Sequence, residues 1–146
     1  GPGQLVCYPL VKLAAPVDVI KYIRAVEGAV LDTLQNSFDL DVRRIEGRAG
    51  VWIGNRKISA IGLKISQDAT LHGISLNVKT DPATAFSGIV PCGITDATVT
   101  SMAEEGINTT LGAVASPLVA ALEQRLEPLL APTTIEGDMH VYHPAG

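Results

Sequence analysis

Two stretches of strict alternation in the middle of the chain restrict what it can fold into. From Lys57 to Ile65 a period of two places Lys57, Ser59, Ile61, Leu63 and Ile65 on one side and Ile58, Ala60, Gly62 and Lys64 on the other. From Thr70 to Val78 the same period groups His72, Ile74, Leu76 and Val78, with Leu71, Gly73, Ser75 and Asn77 opposite. This is the pattern of half-buried strands, and in each a titratable side chain joins the more apolar row. Gly62 and Gly73 interrupt the rows, and a glycine inside a strand weakens it but lets a ligand or a second backbone come close. Both are therefore candidate pocket walls. Val51-Trp52-Ile53 followed by Gly54-Asn55 predicts a strand running into a tight turn, and so a hairpin that leads into Lys57.

Helical signals flank this block. Pro16 and Asp18 precede an apolar stripe at Val19, Ile20, Ile23, Val26, Val30, Leu31 and Leu34, which predicts a helix. Ser116 with Pro117 predicts the start of a second, with the stripe Leu118, Val119, Leu122, Leu126 and Leu129, ended or kinked at Pro128. Leu5 to Leu10 reads as a short strand or apolar connector, Leu40 to Ile45 as a strand, and residues 98–105 as a short helix. From about Pro132 the chain has no periodicity and reads as a loose tail. The expected organisation is one domain over residues 1–131 and a tail over 132–146.

Composition narrows the function class. With 146 residues, 47% hydrophobic but 4% aromatic, the chain suits one domain around an aliphatic core. The net charge is -4, and the basic residues form no cluster beyond Arg43 and Arg44, which argues against a nucleic-acid footprint. No apolar run reaches the roughly 20 residues that cross a bilayer, so the expectation is a soluble, cytoplasmic protein that does not engage membranes. The opening Gly1-Pro2-Gly3-Gln4 lacks an initiator Met and runs at once into an apolar stretch, as if the sequence starts inside a domain. Two cysteines without a secretory signal do not suggest a disulfide framework.

Cys92 lies in Ile89-Val90-Pro91-Cys92-Gly93-Ile94, where the flanking Pro and Gly predict a turn that could lift the thiol toward a pocket. A free cysteine is more often a small buried hydrophobe, and Cys7, in a run of aliphatics, fits that description. A thiol becomes nucleophilic when a nearby cation or base lowers its pKa of about 8.5. Lys57, on an apolar row, is a candidate for that role, although a lysine at a strand end also snorkels to the surface. His72 is more often a hydrogen-bonded core histidine than a catalyst. His140 and His143 have a metal-site spacing but no cluster of Cys, Asp or Glu beside them, and read as tail residues. Neither GxxxxGK[ST] nor GxGxxG occurs, which argues against a phosphate-cradling loop.

Three blocks in order resemble the lipoyl(octanoyl) transferase family, also called lipoate-protein ligase B: "GPGQLVCYPL" at 1–10, "GVWIGNRKISAIGLKIS" at 50–66, and "TLHGISLNV" with "FSGIVPCGI" at 70–94. The resemblance covers roughly residues 1–103. It implies an α+β fold, a central mixed sheet with packed helices, as in biotin and lipoate protein ligases. It also implies transfer of an octanoyl group from octanoyl-acyl carrier protein, through a cysteine thioester, to a lysine of lipoyl domains in lipoate biosynthesis. The acceptors would be 2-oxoacid dehydrogenase E2 subunits and the glycine cleavage H protein. The family's nucleophile maps onto Cys92, and its catalytic lysine onto Lys57, 35 residues earlier. The acyl-pocket residues map onto Ala60, Ile61 and Gly62, and onto Gly73, Ile74 and Ser75, with His72 beside them. The family's segment before the GPGQ block, which includes an Arg-Gly-Gly stretch, is not in this sequence. No cofactor is implied, and the expected state is a monomer.

The chemistry agrees with that mapping. Thioester exchange is close to neutral and amide formation from a thioester is downhill, so no nucleotide is needed. The acceptor amine, with a pKa near 10.4, must lose a proton before it attacks, and a desolvated lysine is a suitable base. An aliphatic wall suits the octanoyl chain at roughly 0.8 kcal/mol per buried methylene. The alternatives are an ATP-dependent lipoate or biotin ligase of the same fold, against which the cysteine in PCGI speaks, and a non-catalytic remnant that binds lipoyl domains or acyl carrier protein. A papain-like hydrolase lacks the usual residues around its nucleophile.

Overall fold

The computed structural model describes residues 3–66, 69–79, 98–131 and 138–142. Its elements are β1 (Gln4–Leu10), α1 (Val19–Phe38), β2 (Arg43–Ile45), β3 (Arg48–Ile53), β4 (Arg56–Ser66), β5 (Ala69–Asn77), β6 (Thr98–Val99), α2 (Leu111–Leu126) and β7 (Asp138–Tyr142). The strands form one sheet in the order β2-β3-β4-β5-β1-β7, antiparallel along this path, with β6 parallel to the start of β4. The sheet is therefore mixed, and two helices pack on it, as expected.

Local chemistry accounts for most of the elements. Asp18 caps α1 by accepting from the Lys21 N–H at 3.1 Å, and the helix ends at Asp39, the non-glycine residue with positive φ. Gly54 at φ 57° closes the β3–β4 turn that Gly54-Asn55 predicts. Within the β5–β1 pairing, Leu5 stands opposite Leu76 and Cys7 opposite Ile74, and these four enter the core with Val26, Ala29 and Val30 of α1 and Leu118 and Leu122 of α2. The helices thus cover this face of the sheet. On the opposite face Gln4 donates to Asn77 Oδ1 at 2.9 Å, and Asn77 Nδ2 donates to the Thr100 carbonyl at 3.0 Å.

Four expectations are corrected. The second helix starts at Leu111, capped by Thr110, whose hydroxyl accepts from the Ala113 N–H at 3.2 Å; Pro117 lies inside it. By starting earlier than expected, the helix gains Val114 and Ala115 as buried residues, which favours the longer form over a start at proline. Residues 98–105 are not a helix. Thr98–Val99 pair with β4, and the following turns are held by Met102 N–H to the Asn77 carbonyl and by Arg56, which binds Glu105 bidentately at 2.8 and 3.0 Å. Of the Leu40–Ile45 stretch only Arg43–Ile45 is strand. Finally, Asp138–Tyr142 is not loose: it adds β7 to the free edge of β1, from Val6 opposite Tyr142 to Leu10 opposite Asp138. Helix α2 does end before Pro128, in a 3-10 turn over Glu127–Leu129.

Candidate active site

The β4–β5 register assembles most of the predicted pocket without any loop. Ala60 stands opposite Ser75, Ile61 opposite Ile74 and Gly62 opposite Gly73, so the six mapped residues form three consecutive cross-strand pairs. Ser59 ties the two strands further by donating its hydroxyl to the Ser75 carbonyl at 2.9 Å. Alternation divides the pairs between the faces. Ile61 and Ile74 lie on the side packed by the helices, whereas Ala60, Ser75 and the two glycines place small residues on the other side. Among the described residues, the nearest atom to a Cβ on Gly62 would be the Gly73 carbonyl oxygen at 3.9 Å. At Gly73 a Cβ would come within 2.4 Å of the Tyr8 ring of β1, and the glycine is what lets that ring lie against the sheet.

Lys57 lies three residues before Ala60 on β4, about 10 Å away along the strand. Its surroundings differ from a simple apolar row. The β3–β4 register shifts between Val51, which faces Ser59, and Trp52, which faces Lys57, so Ile58 is an extra residue on β4. Such a bulge re-aims the side chains around it. The Lys57 ammonium sits 5.5 Å from the centroid of the buried Trp52 ring, and Arg48 stands over the same ring, also at 5.5 Å. Lys57 is half-buried, and burial pulls its pKa below the ordinary lysine value, against an opposing pull from the Glu27 carboxylate. A lysine in this state yields its proton more readily than one in water.

Gly50 makes the seat for that side chain. At φ 100° it adopts a conformation that favours glycine, and a Cβ there would stand 2.4 Å from the Ser59 carbonyl oxygen and 2.7 Å from Lys57 Cε. Glu27 of α1, 1% exposed, accepts from the Gly50 N–H at 2.9 Å and from Arg24 Nη1 at 3.2 Å. Glu27 lies among Ile23, Val26, Val30 and Leu34, a position that marks it in the sequence as a carboxylate on the buried face of the helix.

The remaining candidates divide by location. Cys92 lies outside the described residues, as does His143. His72 stands opposite Leu63 in the β4–β5 register, and His140 opposite Tyr8 in the β7–β1 register. Cys7 is fully buried, and burial pushes its thiol up to about 11, which makes it an inert core residue. Among the described residues no three His, Cys, Asp or Glu side chains gather as a metal site, and no helix is long and apolar enough to cross a membrane.

Residues 1–123 match the family model of the lipoyl protein ligase A/B catalytic domain. The chain belongs to this family. Its sequence relatives are octanoyltransferases: it is 46% identical over 137 residues to that of Mycobacterium ulcerans, with 86% of this chain and 56% of the relative covered. It is 42% identical over 130 residues to that of Corynebacterium diphtheriae, with 84% and 52% covered. The chain thus spans between half and two thirds of the length of these curated relatives. In three dimensions it resembles apo biotin protein ligase from Aquifex aeolicus, at a TM-score of 0.64 and 18% identity over 86% of this chain and 53% of the ligase. It also resembles a lipoate-protein ligase A bound with ATP, at a TM-score of 0.61 and 18% identity over 86% and 53%. The lipoyl protein ligase fold is accordingly the fold of this domain: a mixed sheet with helices against one face.

Proposed function

We propose that this domain carries the catalytic half-site of an octanoyltransferase of lipoate biosynthesis, with Cys92 as nucleophile and Lys57 as the base. The observation that carries the reading is Lys57 itself: half-buried against Trp52, with a pKa drawn down by burial, on the same strand as three of the six residues mapped to the acyl pocket, which pair across β4 and β5. The octanoyltransferase relatives support it.

The reaction runs in two balanced steps. The Cys92 thiolate attacks the carbonyl carbon of the octanoyl thioester on acyl carrier protein; the carrier's thiolate leaves and takes up the proton of the Lys57 ammonium, and an acyl-cysteine thioester and a neutral Lys57 remain. The side-chain amine of a lysine on a lipoyl domain then attacks that thioester. Cys92 thiolate leaves, and Lys57 Nζ accepts the proton lost by the amine. As an ammonium, Lys57 lowers the pKa of the thiol in the first step; as a neutral amine, it is the base of the second. Ala60, Ile61, Gly62, His72, Gly73, Ile74 and Ser75 bind the acyl chain, and the reaction takes place in the cytoplasm. The carboxyl is already activated as a thioester, so the step does not consume ATP.

Intact-mass spectrometry tests the reading directly. After mixing with octanoyl-acyl carrier protein, the expected product is a hydroxylamine-labile octanoyl adduct on Cys92 that is absent in Cys92→Ser. A folded protein without the adduct would leave the site description standing and remove the thioester mechanism for this chain.

A further inference from the structure

Burying a carboxylate is costly unless hydrogen bonds and an opposite charge compensate it, and Glu27 is 1% exposed in the middle of α1. Its hydrogen-bond partners are instructive. One is Arg24, on the next turn and about half exposed, and the other is the backbone of Gly50, the residue whose missing side chain makes room for Lys57. A Cβ at Gly50 would lie 3.6 Å from Lys57 Nζ, so the Gly50 backbone binds Glu27 while the space its missing side chain leaves is occupied by the end of Lys57. We propose that Glu27 is a positioning residue for the transfer reaction: hung from the Gly50 N–H, its carboxylate seats the Lys57 ammonium beside Trp52 and balances its charge. The proposal deepens the reading of Lys57 as the transfer base and rests on it.

The other groups around Lys57 explain why a carboxylate belongs there. From β3, Arg48 shares the Trp52 ring, and from α1, Arg24 flanks Glu27, so two further cations face the same region. On β4 the neighbouring Arg56 is engaged by Glu105, and Thr98 and Val99 of β6 bring no charge. Without Glu27 the ammonium would stand half-buried among cations, and a neutral amine cannot stabilise a thiolate. With it, Lys57 holds its proton in the first step and remains able to take one in the second.

Glu27→Gln keeps an oxygen acceptor for the Gly50 N–H but removes the charge, whereas Arg24→Gln leaves the carboxylate and removes its cation. Side-chain 13C NMR titration of Lys57 in the full chain, assigned with Lys57→Met, measures the effect without reference to activity. Glu27→Gln should lower the titration midpoint enough to raise the neutral fraction about tenfold at a given pH, and Arg24→Gln should raise the midpoint. A purely structural role would give no such opposite movement, and unchanged midpoints in both variants overturn the proposal. If Glu27→Gln does not fold, the upward movement in Arg24→Gln decides alone. Acyl transfer measured against pH should follow the same movements. Midpoints that move while the transfer profile stays put would uphold the link between Glu27 and Lys57 and overturn Lys57 as the base.

Discussion

A half-buried lysine beside a tryptophan ring is expensive for a fold to keep. Burial lowers the Lys57 pKa, so the folded protein binds this proton less tightly than the unfolded chain does. Stability should then rise with pH across the window from the folded pKa of Lys57 up to the ordinary lysine value, because the unfolded state holds more protons there. Urea denaturation at a series of pH values should show this rise in the wild type and not in Lys57→Met. The same substitution should cut acyl transfer by about 10²- to 10⁴-fold, the usual worth of a general base. Cys7 makes the complementary case. With its thiol pushed up to about 11 inside the core, it should resist a thiol reagent at pH 8 in the native protein and react only after unfolding. A native thiol titration should therefore find at most one reactive group, Cys92. Lys57 was legible in the sequence as a charge on an apolar row and Glu27 as a carboxylate on a buried helix face, but the link of Glu27 to Gly50 was not, because its partner is a backbone N–H that no side-chain pattern records.

At the scale of elements, two glycines on neighbouring strands should behave in opposite ways. Gly50→Ala forces a Cβ against the Ser59 carbonyl oxygen and Lys57 Cε at a φ of 100°, and should cost about 2 kcal/mol or more in thermal or urea unfolding. Gly62→Ala makes only an ordinary contact with the Gly73 carbonyl oxygen among the described residues, so its stability should stay within about 1 kcal/mol of wild type while octanoyl transfer falls, because the methyl enters the proposed pocket. The alternation that predicted β4 and β5 survived in the register, since a period of two needs only one buried face to be decisive. It could not foresee the extra residue Ile58 opposite β3, which changes the setting of Lys57. The helix starts show the same division. Asp18 was legible as a cap because nothing competes with it, whereas Ser116-Pro117 imitated a helix start that Thr110 had already supplied one and a half turns earlier.

For the whole molecule, the decisive long-range feature is β7. It covers the edge of β1 that faces away from β5, and an uncovered strand edge is a template for unwanted pairing. Removing residues 132–146 should raise hydrogen exchange across β1 and promote self-association, as read by exchange mass spectrometry and light scattering. The helical layer is pinned separately, by Arg125 of α2 reaching Asp32 of α1 at 2.7 and 2.8 Å across Gly28, where a Cβ would stand 2.9 Å from the guanidinium. These two devices join segments far apart in the chain.

The sequence by itself determined the central hairpin, the first helix, the aliphatic core and the lysine proposed as the transfer base. Those follow from short-range periodicity and capping, which act between residues a few positions apart. Only the tertiary structure decided that a loose-looking tail is a strand, that the six residues mapped to the acyl pocket form three facing pairs, and that a buried glutamate on α1 binds the backbone of Gly50 beside the lysine. Each of these depends on which backbone lies beside which, and a strand of five residues or a single buried carboxylate gains its stability from a partner that is distant in sequence.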